Sequence, residues 1–400
     1  RDTDRSRGLG DVYKRQKKNR LFMMMLVTGV SVLLTACSMF DNATDKGVAE
    51  KTKVVTDLAG RQVHVPLEAK RIITTAPGHG GAFMTMCAIL NKDVENYMVG
   101  WDNRLAADNK DMYNHYIKSI PKLKDLPDVG SVFRESFNVE KVIELAPDLC
   151  IFSIEEKTAI DASAAAQLDK AKIPYIYIQL VDEKTENQEK SARLIGEVLN
   201  KQEKTEEIIK NSIEKRKEVE RRVAKINEQK KEKPKVYFEC VSRGVDEYGW
   251  TYTNEVQWGL MTYMAGGDNI SEGKYEKYGK MDLETLLRAN PDHIFLAGSY
   301  WPKVPSALKM GYESTQADVL QQIEAYKKRK GWNELKAVQN GNVHAIYLSM
   351  GCELFDFASL EFIAKTIYPE EFADMEPEKD LQEYFASYLP FELEGVWMVK

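Results

Sequence analysis

Aromatic and guanidinium side chains gather just past the ends of short apolar runs in this chain. Trp101 closes the run Tyr97–Trp101 and Arg104 follows it, while Phe133 and Arg134 precede a helical stretch. Arg243, Tyr248, Trp250 and Tyr252 follow the run that ends at Cys240, and Tyr300 and Trp301 follow His293–Ala297. If the runs are parallel strands, these positions lie where open α/β sheets hold ligands, beyond the carboxyl ends of the strands. Rings there supply stacking area, and a guanidinium pairs with carboxylate or catecholate oxygens. The chemistry that results is capture of a flat or aromatic anionic solute. His79 and Gly80 belong to the same group, in a glycine loop ahead of the helical run Ala82–Leu90. Gly80 permits close backbone approach, and the following helix presents free N–H groups. His79 has three readings: a hydrogen-bond donor, an axial ligand to haem iron, or a loop histidine in solvent. Taken singly, each aromatic is better explained by core or rim packing; the set is the candidate site.

Catalytic and metal chemistry lack their residues. The five histidines (His64, His79, His115, His293, His344) are scattered, no HExxH occurs, and the five cysteines show no CxxC spacing. That excludes a zinc ribbon and a disulfide scaffold. Cys87, Cys150, Cys240 and Cys352 read as buried small residues or free thiols, and Met84 and Met86 as core residues rather than thioether ligands. No spacing supplies a nucleophile with its base, so neither an enzyme nor a cofactor is expected. Bare zinc or manganese calls for convergent histidines and acids, and only His79 is well placed for that. From Cys37 onward there are 48 Lys/Arg against 59 Asp/Glu, and a net-acidic body argues against nucleic acid as partner.

The elements that position these residues alternate. Apolar runs at 71–77, 97–101, 149–152 and 175–178 are separated by helical patterns such as Val139–Leu145, the signature of a parallel sheet with flanking helices. Lys184–Lys233 then carries 15 Lys/Arg and 11 Asp/Glu without a proline, and Pro234 ends it. It reads as one long helix, with an interruption, if any, near Gly196. Strand patterns resume at 235–240, 293–297 and 343–347. The fold class is therefore α/β, with an N-terminal lobe over 53–183, a linking helix over 184–233, and a C-terminal lobe and tail over 234–400. The 400 residues suffice for two domains of ordinary size.

Ahead of this body stands a leader. Lys14, Arg15, Lys17, Lys18 and Arg20 precede an uncharged, mostly apolar run from Leu21 to Thr35. The run is short for a membrane span, which needs about 20 residues, and suits a secretory signal. Leu34-Thr35-Ala36-Cys37 resembles a bacterial lipobox with Cys37 as the lipid-bearing residue. The expected order is a signal peptide over 17–36 and a flexible tether over 37–52. Residues 1–16 read as a translated artefact, because Asp11–Gln16 back-translates to a transposon end.

One pattern occurs twice. Glu140-Lys-Val-Ile-Glu-Leu-Ala-Pro147-Asp148 precedes one apolar run, and Glu284-Thr-Leu-Leu-Arg-Ala-Asn-Pro291-Asp292 precedes another. An acid in the first turn of a helix is locally favourable by about 0.3–1 kcal/mol, which accounts for each glutamate alone but not for the shared spacing. With Asp57–Pro66, Trp332–Ile346 and Tyr368–Asp374, these segments occur in the order of, and resemble, ABC-importer substrate-binding lipoproteins for iron–siderophore, haem and cobalamin, over roughly 53–375. The resemblance implies two Rossmann-like lobes bridged by one long helix, with a ligand cleft between them and modest lobe motion. It implies docking of Glu140 and Glu284 on arginines of a membrane permease, with separate ATPase subunits supplying energy. The expected function is that of an extracytoplasmic, lipid-anchored, monomeric solute-binding protein. A ferric siderophore is the leading ligand, haem or a corrinoid the alternative, and a bare metal or oxyanion the second alternative.

Overall fold

The computed structural model describes residues 51–76, 81–180, 185–229 and 232–400. The artefact expected at 1–16, the signal peptide, Cys37, His79 and Gly80 lie outside the described residues. The body opens at Thr52, the last residue assigned by sequence to the tether, because Thr52 pairs with Pro66 in a hairpin of Thr52–Thr56 (β1) and Gln62–Pro66 (β2). Asp57 builds the turn: its carboxylate accepts the backbone N–H groups of Ala59 at 3.0 Å and Arg61 at 2.9 Å.

The N-terminal lobe continues through Ile72–Thr74 (β3), Ala82–Leu90 (α1), Met98–Trp101 (β4), Arg104–Asp108 (α2), Lys110–Ser119 (α3), Val139–Leu145 (α4), Leu149–Ser153 (β5) and Tyr175–Ile178 (β6). Its four strands are parallel, in the order β4-β3-β5-β6. Unbroken apolar strands imply burial on both faces, and β3, β5 and β6 are buried along their whole length. All nine residues of α1 are buried, Met84 and Met86 included.

The linking segment departs from the single helix expected over 184–233. Thr185–Val198 (α5) and Gln202–Gln229 (α6) are separate helices. Asn200 takes a left-handed conformation (φ +55°), and the Lys201 N–H returns to the Gly196 carbonyl at 2.7 Å, which terminates α5. The break thus falls near Gly196, as expected, but not at the glycine itself. Gly196 lies inside α5, and a Cβ there would meet Thr205 Oγ1 on α6 at 2.1 Å, so its missing side chain lets the two helices touch. Gly196→Ala is expected to destabilise the fold by about 1–3 kcal/mol through overpacking, seen as a lower urea midpoint at unchanged slope. At ~1.5 Å per residue α6 is about 42 Å long, and it packs on α1 of the N-terminal lobe as well as on helices of the C-terminal lobe.

The C-terminal lobe comprises Lys235–Cys240 (β7), Thr251–Tyr252 (β8), Gln257–Met264 (α7), Asp268–Asn269 (β9), Tyr278–Gly279 (β10), Leu283–Ala289 (α8), His293–Gly298 (β11), Val343–Tyr347 (β12), Asp356–Ile367 (α9), Pro377–Tyr388 (α10) and Met398–Val399 (β13). Strands β9-β7-β11-β12 are parallel in that order, and β13 closes the edge antiparallel to β12. Arg216 fixes α6 to this lobe: buried, it holds Asp356 at 2.6 Å and Glu189 of α5 at 2.8 Å.

Each lobe thus places its second strand on one side of its first and its third and fourth on the other, and the repeated motif falls just before the third strand in both. Asn138 and Asp282 cap the helices α4 and α8, accepting from Lys141 and Thr285 N–H at 2.9 Å. Ala146 and Asn290 end them in left-handed geometry. The motif's last residue then clasps the start of the first strand. Asp148 accepts the N–H groups of Lys70 and Arg71 at 2.9 Å, and Asp292 that of Lys235 at 2.9 Å. Because the carboxyl ends of α4 and α8 lie at strand starts, their N-termini lie toward the strands' carboxyl ends.

Candidate functional site

The carboxyl ends of the two sheets face each other. Asp111 of α3, in the N-terminal lobe, reaches Tyr347 at the end of β12, its Oδ2 lying 3.0 Å from where a Cβ on Gly311 would sit and the Tyr347 ring 2.9 Å from the same point. Gln188 of α5 donates to the Gly351 carbonyl, just past β12, at 3.5 Å.

On the N-terminal side, the ends of β3, β4 and β5 converge on buried acids. Glu156 and Ser153 form a capping box after β5, and Glu156 also accepts the Thr75 hydroxyl from the end of β3. Burial pushes Glu156 up to about 7, with Thr75 and the Ser153 N–H pulling the other way. Asp102, after β4, is likewise raised by burial although it accepts the Arg104 N–H at 2.8 Å. Sequence reasoning did not single out Thr75, Asp102 or Glu156, because it sought a cationic wall.

The residues it did single out here divide. Trp101 is a core residue, buried and packed edge-on against Phe83 at 5.6 Å; β4 turns its ring inward. Arg104, Phe133 and Arg134 form a rim, with Arg104 stacked at 5.2 Å from the Phe133 ring and Phe133 47% exposed. Neither arginine is idle. Arg104 lies 3.8 Å from Asp102 and 3.9 Å from Asp108, and Arg134 pairs with Asp108.

The C-terminal wall is a cation–aromatic group. Arg243 stands 5.9 Å and Lys280 5.6 Å from the Trp250 ring, which meets Tyr278 edge-on at 5.5 Å. Tyr252 is half-buried and pairs with Tyr278 across the β8–β10 ladder. Gly249 is obligatory, since a Cβ would lie 1.7 Å from the Cys240 carbonyl where the loop crosses β7. Tyr300 is half-buried with Lys309 at 5.0 Å, and Trp301 packs partly against the core. Tyr248 belongs to the scaffold: its hydroxyl accepts the Trp332 indole N–H at 2.9 Å, and Arg329 lies over its ring at 5.1 Å. Tyr278, Lys280 and Arg329 were missed; two lie on the antiparallel partner strand and beside it, which no local spacing reveals.

Glu140 and Glu284 are exposed in the first turns of α4 and α8, at equivalent places in the two lobes, and Glu284 pairs with Arg288. Among the described residues, no three His, Cys, Asp or Glu side chains converge as a metal site. Cys87, Cys150, Cys240 and Cys352 are buried free thiols, all pushed up by burial.

Known proteins share this architecture. A family model of periplasmic binding proteins matches residues 100–347. The crystal structure of the TroA-like periplasmic binding protein FepB from Veillonella parvula is similar with a TM-score of 0.81 at 37% identity, covering 86% of this chain and 98% of its own. The uncharacterised ABC transporter substrate-binding lipoprotein YvrC of Bacillus subtilis (strain 168) is 24% identical over 355 residues, 86% of this chain and 96% of its own. The molybdate-bound MolA of Haemophilus influenzae shares the fold, with a TM-score of 0.60 at 19% identity over 86% of this chain and 99% of its own. The two lobes with facing strand ends and the match over most of the chain lead to one conclusion: the chain belongs to the periplasmic binding protein family, as a TroA-like substrate-binding protein of an ABC transporter and not an enzyme.

Proposed function

We propose that this protein captures a bulky anionic metal chelate, foremost a ferric siderophore, in the cleft between its lobes and delivers it to a permease. The observation that carries this reading is the Arg243–Trp250–Tyr278–Lys280 group at the C-terminal wall. A half-buried ring flanked by two cations offers stacking area to a flat ligand and charge to its oxygens. Arg104, Phe133 and Arg134 extend that surface on the opposite lobe, and His79 and Gly80 join the candidate set on the sequence alone. Cys37 carries the lipid that tethers the protein, as a monomer, to the outer face of the cell membrane, in keeping with the lipoprotein YvrC. Glu140 and Glu284 dock on the permease.

The test is a titration of the purified protein with ferric catecholate and ferric hydroxamate siderophores, haem, cobalamin and molybdate, followed by tryptophan quenching. The reading expects tightest binding of a ferric siderophore, and Trp250→Ala weakening it about 10- to 100-fold, as removal of a central aromatic anchor does. Preference for haem or cobalamin shifts the ligand within the same cleft. Preference for molybdate, or a Trp250→Ala protein that binds as tightly as the wild type, overturns the proposal.

A further inference from the structure

Helix α3 and the segment 389–397 meet across the lobes in an arrangement that combines adhesion with built-in opposition. Two stacked pairs provide the adhesion. The His115 ring of α3 stacks on Tyr312 at 4.1 Å, and Tyr116 stacks on Phe391 at 4.8 Å. At the rim, Lys118 pairs with Glu394 at 2.6 Å and Asn114 donates to Glu313 at 2.9 Å.

The opposition lies one layer deeper. Asp111 is 1% exposed, and neither of its carboxylate oxygens completes a hydrogen bond of good geometry, the N–H groups at the start of α3 offsetting its burial only in part. The hydroxyls of Tyr116 and Tyr312 face one another without the full geometry of a hydrogen bond, and the Tyr347 hydroxyl stands likewise toward Ser349 and Ser299. Native interiors pair nearly all such groups, yet here five cluster on a boundary between lobes. Burial also holds the Asp111 carboxyl up at about 6. Parting of the lobes hydrates all five at once, so the aromatic contact and the buried polar layer pull in opposite directions.

We propose that α3 and residues 389–397 form a latch between the lobes, held shut by the His115–Tyr312 and Tyr116–Phe391 stacks and kept ready to part by the buried Asp111–tyrosine layer. The latch operates on the protein itself, whichever solute the cleft takes. Its adhesive and opposing sides predict variants of opposite sign.

Hydroxyl-radical footprinting of the full chain without added solute reads the latch directly. Tyr347, buried at 0% exposure behind it, is the reporter, and Tyr237, buried at 0% inside the C-terminal sheet, is the control. Phe391→Ala is expected to raise Tyr347 labelling about tenfold through loss of a stacked pair, and Lys118→Glu about two- to fivefold through loss of an exposed ion pair. Asp111→Asn is expected to lower it about threefold, because a neutral amide needs less hydration and can donate to the facing phenols. Tyr237 stays constant in all three. Should Phe391→Ala fail to fold, the exposed Lys118→Glu decides the adhesive side alone. Unchanged Tyr347 labelling in Lys118→Glu, or faster labelling in Asp111→Asn, overturns the latch.

Discussion

Arg329→Ala is expected to destabilise the protein by about 3–5 kcal/mol, the cost of leaving a buried carboxylate without its partner, and to remove ligand capture with it. Arg329 holds the fully buried Glu239 of β7 at 2.7 Å. Its other nitrogens donate to the carbonyls of Gly244 at 3.0 Å, Val245 at 2.7 Å and Glu247 at 2.8 Å. Rings of Tyr248, Tyr326 and Trp332 surround the guanidinium at 5.1, 4.5 and 5.0 Å. One side chain therefore shapes the whole loop that presents Arg243 and Trp250. Urea unfolding followed by far-UV circular dichroism measures the loss. Adding Glu239→Gln to Arg329→Ala should recover part of the stability, since a neutral amide tolerates burial better, but not the affinity, because the loop carbonyls stay unheld. A loss under about 1 kcal/mol would mean that the Tyr237 hydroxyl and the Gly249 N–H, which Glu239 already accepts at 3.1 and 2.6 Å, suffice to hold it.

Reversal of both motif glutamates, Glu140→Lys with Glu284→Lys, is expected to cut solute uptake by cells at least about tenfold while leaving the Kd of the purified protein unchanged. Each glutamate is exposed and remote from the packed core, so the fold tolerates the change. If the two glutamates meet permease arginines, as proposed, a lysine in their place turns attraction into like-charge contact, which costs several kcal/mol at an interface. Single reversals should fall between wild type and double. Uptake at the wild-type rate, or a weakened Kd with normal uptake, removes the docking role from these two residues.

The legible parts of the molecule were those written locally. Strand runs such as Tyr175–Ile178, Lys235–Cys240 and Val343–Tyr347 stand where the apolar pattern put them, because buried parallel strands leave continuous hydrophobic runs. The doubled motif announced two equivalent lobes, and its Pro-Asp ending proved to be the clasp on each first strand. Legibility failed where a residue's partner is distant. The break near Gly196 was legible, but the glycine's own role was not, because its reason for being there is Thr205 on another helix. Trp101 and Tyr248 shared the spacing of Trp250, yet β4 turns the first into the core and Trp332 ties down the second. Asp111 carried no signal in sequence at all, since its meaning depends on tyrosines contributed by the other lobe.

The polarity of α4 and α8 has a consequence for traffic. Both helices end at strand starts and so begin toward the strands' carboxyl ends, which puts the capping residues Asn138 and Asp282 at the same end of their two lobes. A single partner that touched both helix starts would therefore bridge the two lobes and register how far apart they stand.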